Sequence, residues 1–359
     1  MKLLSSLIFL LILGCSQFGE TPSEDDKKNF KSSKSFNSKE GVFQNRRPNL
    51  ISKMKEENFN LQLVLDWFSS GEDRVPNKNL PEIKPDLTSF NKDLKRSKVI
   101  WFGHSSFLLS MSGKTILVDP IFSDSASPFS FMVKRFQKPV LSLKELPKIN
   151  FILISHDHYD HLDMDTVKFF KDQDVKFITP LGVGSHLRSW GIKKQNIIER
   201  DWWESAQFDD IKFTATPAQH FSGRDGINDN STLWASWVIK DANSNIYFSG
   251  DSGYDTHFKD IGDRLGPFDI AFMESGQYDS RWYAVHLLPK HFAQAFSDIN
   301  AKKYFPVHWG MFHLAFHPWY EPIENLFELH KQKKVELIMP KLGEVVTIGF
   351  ESSVESWWR

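Results

Sequence analysis

The stretch FILISHDHYDHLD, residues 151–163, joins a short apolar run to a dense group of histidines and aspartates. A continuous apolar run of this length is typical of a β-strand buried on both faces. His156 and His158 stand two residues apart, so an extended chain places both side chains on one side. Asp160 and His161 follow where the strand gives way to a turn, which can bring them back towards the same point. The sequence therefore predicts a cluster of ligands at the end of a buried strand.

Metal binding accounts for this cluster, because histidines and aspartates buried together without a shared partner would destabilise the fold by several kcal/mol. Imidazole nitrogens and carboxylate oxygens are the ligands that zinc and similar divalent cations take when no thiolate is present. Cys15 is the only cysteine in the chain. The alternative interpretation is a histidine-rich surface loop that holds no metal.

Three more candidate ligands follow apolar stretches later in the chain. His220 comes after FTATPAQ, Asp251 lies in the glycine-flanked turn FSGDSG, and His308 comes after YFPV. A single histidine after a strand is usually a hydrogen-bonded structural residue. Together with the first cluster, however, they predict four loops that converge at one sheet edge.

The order of elements predicts a layered α/β domain. From Lys98 onwards, strand-like stretches come in two groups with helical segments between them. The 44 basic residues nearly balance the 45 acidic ones, so we expect no nucleic-acid partner. The 12 Trp and 32 Phe predict an aromatic core or an apolar binding face.

The N-terminus has the features of an export signal. Met1 and Lys2 precede the apolar run LLSSLIFLLILG, which is too short to span a bilayer and ends at Cys15. ILGC resembles a bacterial lipobox, so we expect residues 1–15 to be a lipoprotein signal peptide and Cys15 to be lipidated. The protein would then be exported and anchored to a membrane, in the periplasm or at the cell surface. The alternative is a plain secretory signal. Residues 16–41 are polar and predict a disordered tether.

HDHYDH matches the HxHxDH motif of the metallo-β-lactamase superfamily. WFGHSSFLL, ILVDPIFSDSASP, TPAQHFSGR, YFSGDSGY and VHWGMF make the chain similar, within it, to the N-acyl-phosphatidylethanolamine-hydrolysing phospholipases D and their bacterial relatives. The resemblance covers about residues 42–345. It implies an αββα sandwich, in which two mixed β-sheets pack together and helices cover the outer faces. We assign this hydrolase domain to residues 98–349, an N-terminal extension packed on it to 42–97 and a C-terminal tail to 350–359.

The resemblance also implies two divalent metal ions, zinc first and iron or manganese as alternatives. Each ion would have three ligands of its own and share one bridging carboxylate. The first ion would be held by His156, His158 and His220, the second by Asp160, His161 and His308, and Asp251 would be the bridge.

Further residues match the subfamily outside the ligand set. His286 stands at the position of the H-x-x-P histidine, which implies contact with the substrate phosphate or proton transfer; the alternative is a structural histidine behind the ligands. The segment MESGQYDSRWY keeps Tyr278, Arg281 and Trp282 as candidate substrate-binding residues. It departs from the subfamily at Glu274 and Ser275, which replace an apolar-Pro-Ile segment near the metals.

Two more histidines match weakly. His104 in WFGHSS matches a family histidine, which implies either contact with the substrate or support of the metal ligands. His313, together with His317 and Trp319, is expected at the pocket entrance or in a packed aromatic loop.

The leading hypothesis is an exported, lipid-anchored phosphodiesterase of the phospholipase D type that acts on N-acyl-phosphatidylethanolamine-like phospholipids. The resemblance implies attack by a metal-bridging hydroxide, with Asp251 holding the metals and Asp160, His286 or water protonating the departing oxygen. One alternative is a lactonase, or a hydrolase of cyclic phosphodiesters or nucleotides, that uses the same metal site. Another is a surface lipoprotein that binds a ligand without catalysis.

Overall fold

A computed structural model describes residues 16–58, 60–68, 71, 73–88, 90, 92–93, 95–350 and 354–359. The predicted signal peptide and its lipidation site, Cys15, lie outside the described residues. Within the described residues, no helix combines the length and the apolarity needed to cross a membrane.

Residues 16–41 are folded, which corrects the prediction of a disordered tether over this segment. It contains a helix, α1 (Glu24–Phe30), and the first strand of a hairpin made by β1 (Phe36–Asn37) and β2 (Val42–Phe43). Phe30 and Phe43 are buried in a small cluster with Trp234 of the main domain. A few aromatic side chains thus supply apolar area that the average polarity of the segment conceals.

Two further helices complete the N-terminal region, α2 (Leu50–Asn58) and α3 (Leu61–Phe68). Met54 of α2 is buried against Trp282 and Val285, so this helix covers part of the main domain.

Two large sheets form the core of the described chain. The first contains β3 (Lys98–Trp101), β4 (Phe107–Met111), β5 (Lys114–Val118), β6 (Phe151–Leu153), β7 (Lys176–Pro180), β8 (Ile197–Arg200) and, paired with β3 at its edge, β15 (Val345–Thr347). The second contains β9 (Ser205–Phe208), β10 (Ile211–Thr216), β11 (Ser236–Lys240), β12 (Asn245–Phe248), β13 (Ile270–Glu274) and β14 (Tyr304–Val307). Both sheets are mixed, with β5 to β8 parallel in the first and β12 to β14 parallel in the second.

The two sheets pack face to face, and the alternation of side chains along each strand explains why. Phe107 of β4 stacks on Phe272 of β13 with ring centroids 4.3 Å apart, whereas Leu108 belongs to a separate cluster on the opposite face. In β12, Phe248 lies 5.4 Å from Phe107, while Tyr247 faces Phe258 of a covering helix.

Helices cover both outer faces. The first sheet is covered by α4 (Met164–Phe169) and α5 (Gly184–Ser189), and later helices are α6 (His257–Leu265), α7 (Phe292–Ile299) and α8 (Glu321–Lys331). Asp163 caps α4, because its side chain accepts the backbone N–H of Asp165. The αββα sandwich predicted from the sequence is confirmed. At the C-terminus, Trp358 is buried and donates to Glu324, so the described end of the tail packs on the core.

Candidate metal centre

Loops that follow strands of both sheets gather the predicted ligands at one edge of the sandwich. His156 follows β6, and its Nε2 lies 2.9 Å from Nδ1 of His158. His220 follows β10 and places its Nε2 3.2 Å from the same nitrogen. The three residues predicted to hold the first ion therefore form one group.

The predicted ligands of the second ion surround Asp160. Its Oδ2 lies 3.2 Å from Nε2 of His308, which follows β14, and 3.4 Å from Nε2 of His161. His104 joins this group, because its Nε2 is 2.8 Å from the same oxygen. Burial, followed by the proximity of His308, lowers the pKa of His104 to about 3, so this histidine is neutral and donates to the carboxylate.

Asp251 lies between the two groups. Its Oδ2 is 3.0 Å from Nε2 of His308 and 3.2 Å from that of His161. The same oxygen is 3.7 Å from His220 and 3.8 Å from His156. Asp251 thus stands where the sequence placed the bridging carboxylate, and all seven predicted ligands meet at one point.

The donor set fits divalent cations. Among the described residues, Nε2 of His161 and Oδ1 of Asp251 are buried without a hydrogen-bond partner. Buried polar atoms are normally paired, so bare nitrogens and oxygens that converge need a cation as their common partner. Imidazole and carboxylate ligands suit zinc, iron and manganese alike.

The electrostatics agree with this fit. Burial opposes protonation of His161, but the charges of Asp251 and Asp160 outweigh it and hold the pKa of His161 well above its usual range. For His308, burial again opposes the shift, yet Asp251 and Asp160 raise its pKa to about 10. The carboxylates therefore create a negative potential that attracts positive charge to the imidazole nitrogens.

Asp119, which is not among the predicted site residues, supports this centre. It follows β5 in the stretch ILVDP and is fully buried. Its Oδ2 lies 2.7 Å from Nδ1 of His161, and its Oδ1 accepts the backbone N–H of Ser155. A carboxylate behind a ligand histidine fixes the ring and leaves Nε2 for the metal. The signal available in the sequence was an aspartate directly after a buried strand.

Glu274 supports His286 in the same manner. Glu274 ends β13 and is buried, and its Oε2 lies 3.0 Å from Nδ1 of His286. Burial raises the pKa of the Glu274 carboxyl, and the neighbouring His286 opposes this rise. In the sequence, Glu274 stands out only as a departure from the subfamily.

A cavity of about 540 Å³ opens above the ligands. We call His158, Asp160, His220, Asp251 and His308 its metal-ligand floor, because these ligands line it. Its apolar wall comprises Met54, Leu63, Phe221, Trp282, Val285 and Leu314, and the remaining lining residues are Lys55, Gln277 and His286.

The predicted substrate-binding residues separate into two sets. Trp282 lines the cavity, whereas Tyr278, Arg281 and His313 lie outside its lining, so their contact with substrate stays a prediction. The Tyr278 hydroxyl donates to Glu321, and Arg281 is held by Asp66 and Asp279.

The two remaining histidines of the prediction also lie outside the lining. His104 contacts Asp160 from behind the floor. His317 accepts the N–H of Gln277 and stacks on Tyr278, so it supports the lining residue Gln277 from outside the cavity.

Comparison with known proteins agrees with this geometry. Residues 114–309, more than half of the chain, match the family model described as a beta-lactamase superfamily domain. An uncharacterized protein of Mycobacterium tuberculosis is 38% identical over 333 residues, covering 91% of this chain and 88% of the relative. The N-acyl-phosphatidylethanolamine-hydrolyzing phospholipase D 1 of Caenorhabditis elegans is 34% identical over 264 residues, covering 68% of this chain and 74% of the relative.

Two more distant comparisons give the same result, one by sequence and one by fold. A UPF0173 metal-dependent hydrolase of Caldivirga maquilingensis is 29% identical over 212 residues, covering 59% of this chain and 82% of the relative. The solved structure of Igni18, a metallo hydrolase from Ignicoccus hospitalis, shares the fold with a TM-score of 0.56 at 20% identity, over 71% of this chain and 100% of Igni18. The chain is therefore a metal-dependent hydrolase that belongs to the metallo-β-lactamase superfamily.

Proposed function

We propose that this hydrolase is a phospholipase D-type phosphodiesterase that acts on N-acyl-phosphatidylethanolamine-like phospholipids. The observation that carries the proposal is the union of a ligand-rich floor and an apolar wall in one cavity. A phospholipid presents both chemistries, because its charged phosphodiester is joined to long apolar chains. The 34% identity to a phospholipase D of Caenorhabditis elegans supports the same substrate class.

Different residues of the cavity would bind the metals, bury the acyl chains and supply a proton. Two divalent cations, zinc being our first choice, would supply the acidity that prepares water for attack and would neutralise charge on the phosphoryl oxygens. The apolar wall buries the acyl chains. His286 also lines the cavity and can give a proton to the departing oxygen.

Product analysis tests the proposal. The full-length protein, loaded with zinc, is incubated in ¹⁸O-labelled water with detergent-dispersed N-acyl-phosphatidylethanolamine, and the products are identified by mass spectrometry. We expect N-acylethanolamine and phosphatidic acid, with the label in the phosphatidic acid because water bonds to phosphorus. Chelator-treated protein is the control. If zinc-loaded protein opens a lactone or a cyclic phosphodiester but leaves the phospholipid intact, the proposed substrate class is wrong.

We also propose that the protein is exported and held on a membrane by a lipid on Cys15. The lipobox-like ILGC after a short apolar run supports this location. Growth with radioactive palmitate should label the wild-type protein and leave Cys15→Ser unlabelled. Equal labelling of the two proteins would contradict the anchor.

A further inference from the structure

His286 is held on both sides by buried hydrogen bonds. The backbone carbonyl of Val285 lies 2.9 Å from Nδ1 of His220, and the N–H of Leu287 donates to Oε1 of Glu274. Ala284, two residues before His286, packs closely on Gly253. A Cβ atom on Gly253 would lie only 2.2 Å from the carbonyl oxygen of Ala284. The main chain that carries His286 is thus fixed against the floor.

The side chain of His286 is fixed as well. Oε2 of Glu274 lies 3.0 Å from Nδ1, while the histidine keeps 14% of its side chain exposed and lines the cavity. Within the described residues, His286 is the one basic side chain within ion-pair distance of the buried Glu274. A buried carboxylate needs such a partner, so the pair defines the orientation of the ring.

We propose that Glu274 is the positioning residue that turns Nε2 of His286 towards the substrate, where it donates a proton to the leaving oxygen. Because Glu274 occupies Nδ1, Nε2 is the nitrogen that faces the cavity. In the reaction, the oxygen of water bonds to phosphorus as the bond from phosphorus to the leaving oxygen breaks. His286 protonates that oxygen, and a proton released by the water restores the imidazolium. This inference rests on the proposed phosphodiesterase activity, although not on a lipid substrate.

Leaving-group dependence tests it with two water-soluble diesters. Diphenyl phosphate releases a basic phenolate that needs a proton, whereas bis(p-nitrophenyl) phosphate releases an anion that departs without one. We expect Glu274→Gln and His286→Gln each to lower kcat/KM for diphenyl phosphate about 100-fold, as for loss of a general acid. For bis(p-nitrophenyl) phosphate the loss should stay below about fivefold, because little proton transfer is required. Glu199→Gln is the matched control, because the Glu199 carboxylate, like that of Glu274, accepts backbone N–H groups but lies outside the cavity lining.

The double variant and the metal content give independent readouts. If Glu274 acts through His286, Glu274→Gln/His286→Gln should be no slower than His286→Gln alone. Metal content, measured by atomic absorption, should equal that of the wild type in all variants. Loss of an ion in Glu274→Gln would instead make Glu274 a ligand, since one of its carboxylate oxygens lies within 4.8 Å of a carboxylate oxygen of Asp251 and a ring nitrogen of His308.

The outcomes separate this inference from the substrate proposal. Equal losses on both diesters, or multiplied losses in the double variant, would overturn the role of Glu274 while leaving lipid hydrolysis standing. Conversely, a wild type that hydrolyses both diesters but no phospholipid would overturn the substrate, and the leaving-group ratio would still decide the role of Glu274.

Discussion

The floor and the wall of the cavity are built from different parts of the chain and carry different chemistry. The metal-ligand floor consists of buried and half-buried side chains in loops that follow strands of both sheets. Part of the apolar wall comes from elsewhere, with Met54 and Leu63 supplied by the N-terminal helices. The floor therefore determines which bond can be broken, and the wall determines which molecules reach it. Substitutions in the two regions should change different kinetic constants.

The largest effect is expected from Asp251→Ala, because Asp251 contacts both groups of ligands. The metals contribute several kcal/mol of stabilisation to the transition state, so kcat should fall at least about a thousandfold. Metal content, measured by atomic absorption, should fall below that of the wild type. Asp241→Asn is the control, since Asp241 is also buried but accepts hydrogen bonds in the turn between β11 and β12. Full metal content and turnover in Asp251→Ala would refute the bridging role.

A smaller effect on the floor is expected from Asp119→Asn. The substitution removes the charge that holds Nδ1 of His161, and loss of such a partner typically weakens metal binding by about 10- to 100-fold. Competition with a fluorescent zinc chelator measures this affinity. Asp157→Asn provides a comparison, because Asp157 is buried beside the same cluster but pairs with His186. An unchanged zinc affinity in Asp119→Asn would show that His161 needs no support.

The floor was predictable from the sequence for a physical reason. A ligand set requires particular side chains directly after strands, and HDHYDH, His220, Asp251 and His308 show this pattern without knowledge of the fold. Asp119 follows the same rule but stands alone in its motif, so its role emerged only with His161 beside it. The two-sheet fold was predictable as well, because HDHYDH and the motifs around it resemble a family with this fold.

The wall was not predictable, because apolar side chains carry no comparable signature. Leu63 and Met54 could pack in any core, and only the tertiary arrangement turns them towards the ligands. The fold of residues 16–41 was missed for a similar reason: Phe30 and Phe43 anchor a segment whose mean composition is polar. Conversely, Arg281 belongs to a recognisable motif, yet its charge is used by neighbouring carboxylates.

On the wall, Met54→Ala and Leu63→Ala should each raise KM for N-acyl-phosphatidylethanolamine. Each change removes apolar contact worth roughly 1 kcal/mol, which corresponds to an increase of about five- to tenfold. Turnover of bis(p-nitrophenyl) phosphate should not change, because this diester has no acyl chains. Leu65→Ala is the control, since Leu65 lies on the same helix and is 56% exposed. An equal loss on both substrates would mean that these residues support the floor instead.

The smallest effect is expected from Arg281→Ala, which tests the boundary of the wall. The Arg281 guanidinium lies 2.7 Å from Asp66 and 2.8 Å from Asp279, so both carboxylates already neutralise its charge. Partly exposed ion pairs contribute little, so kcat/KM for the phospholipid should change less than about threefold. Asp66→Asn removes one partner and should have an equally small effect. A tenfold rise in KM confined to Arg281→Ala would show that the arginine leaves its carboxylates and binds the phosphate. Arg281 would then recognise the substrate directly. In the structure, by contrast, Arg281 binds Asp66 of α3 and so holds this helix, together with Leu63, against the cavity.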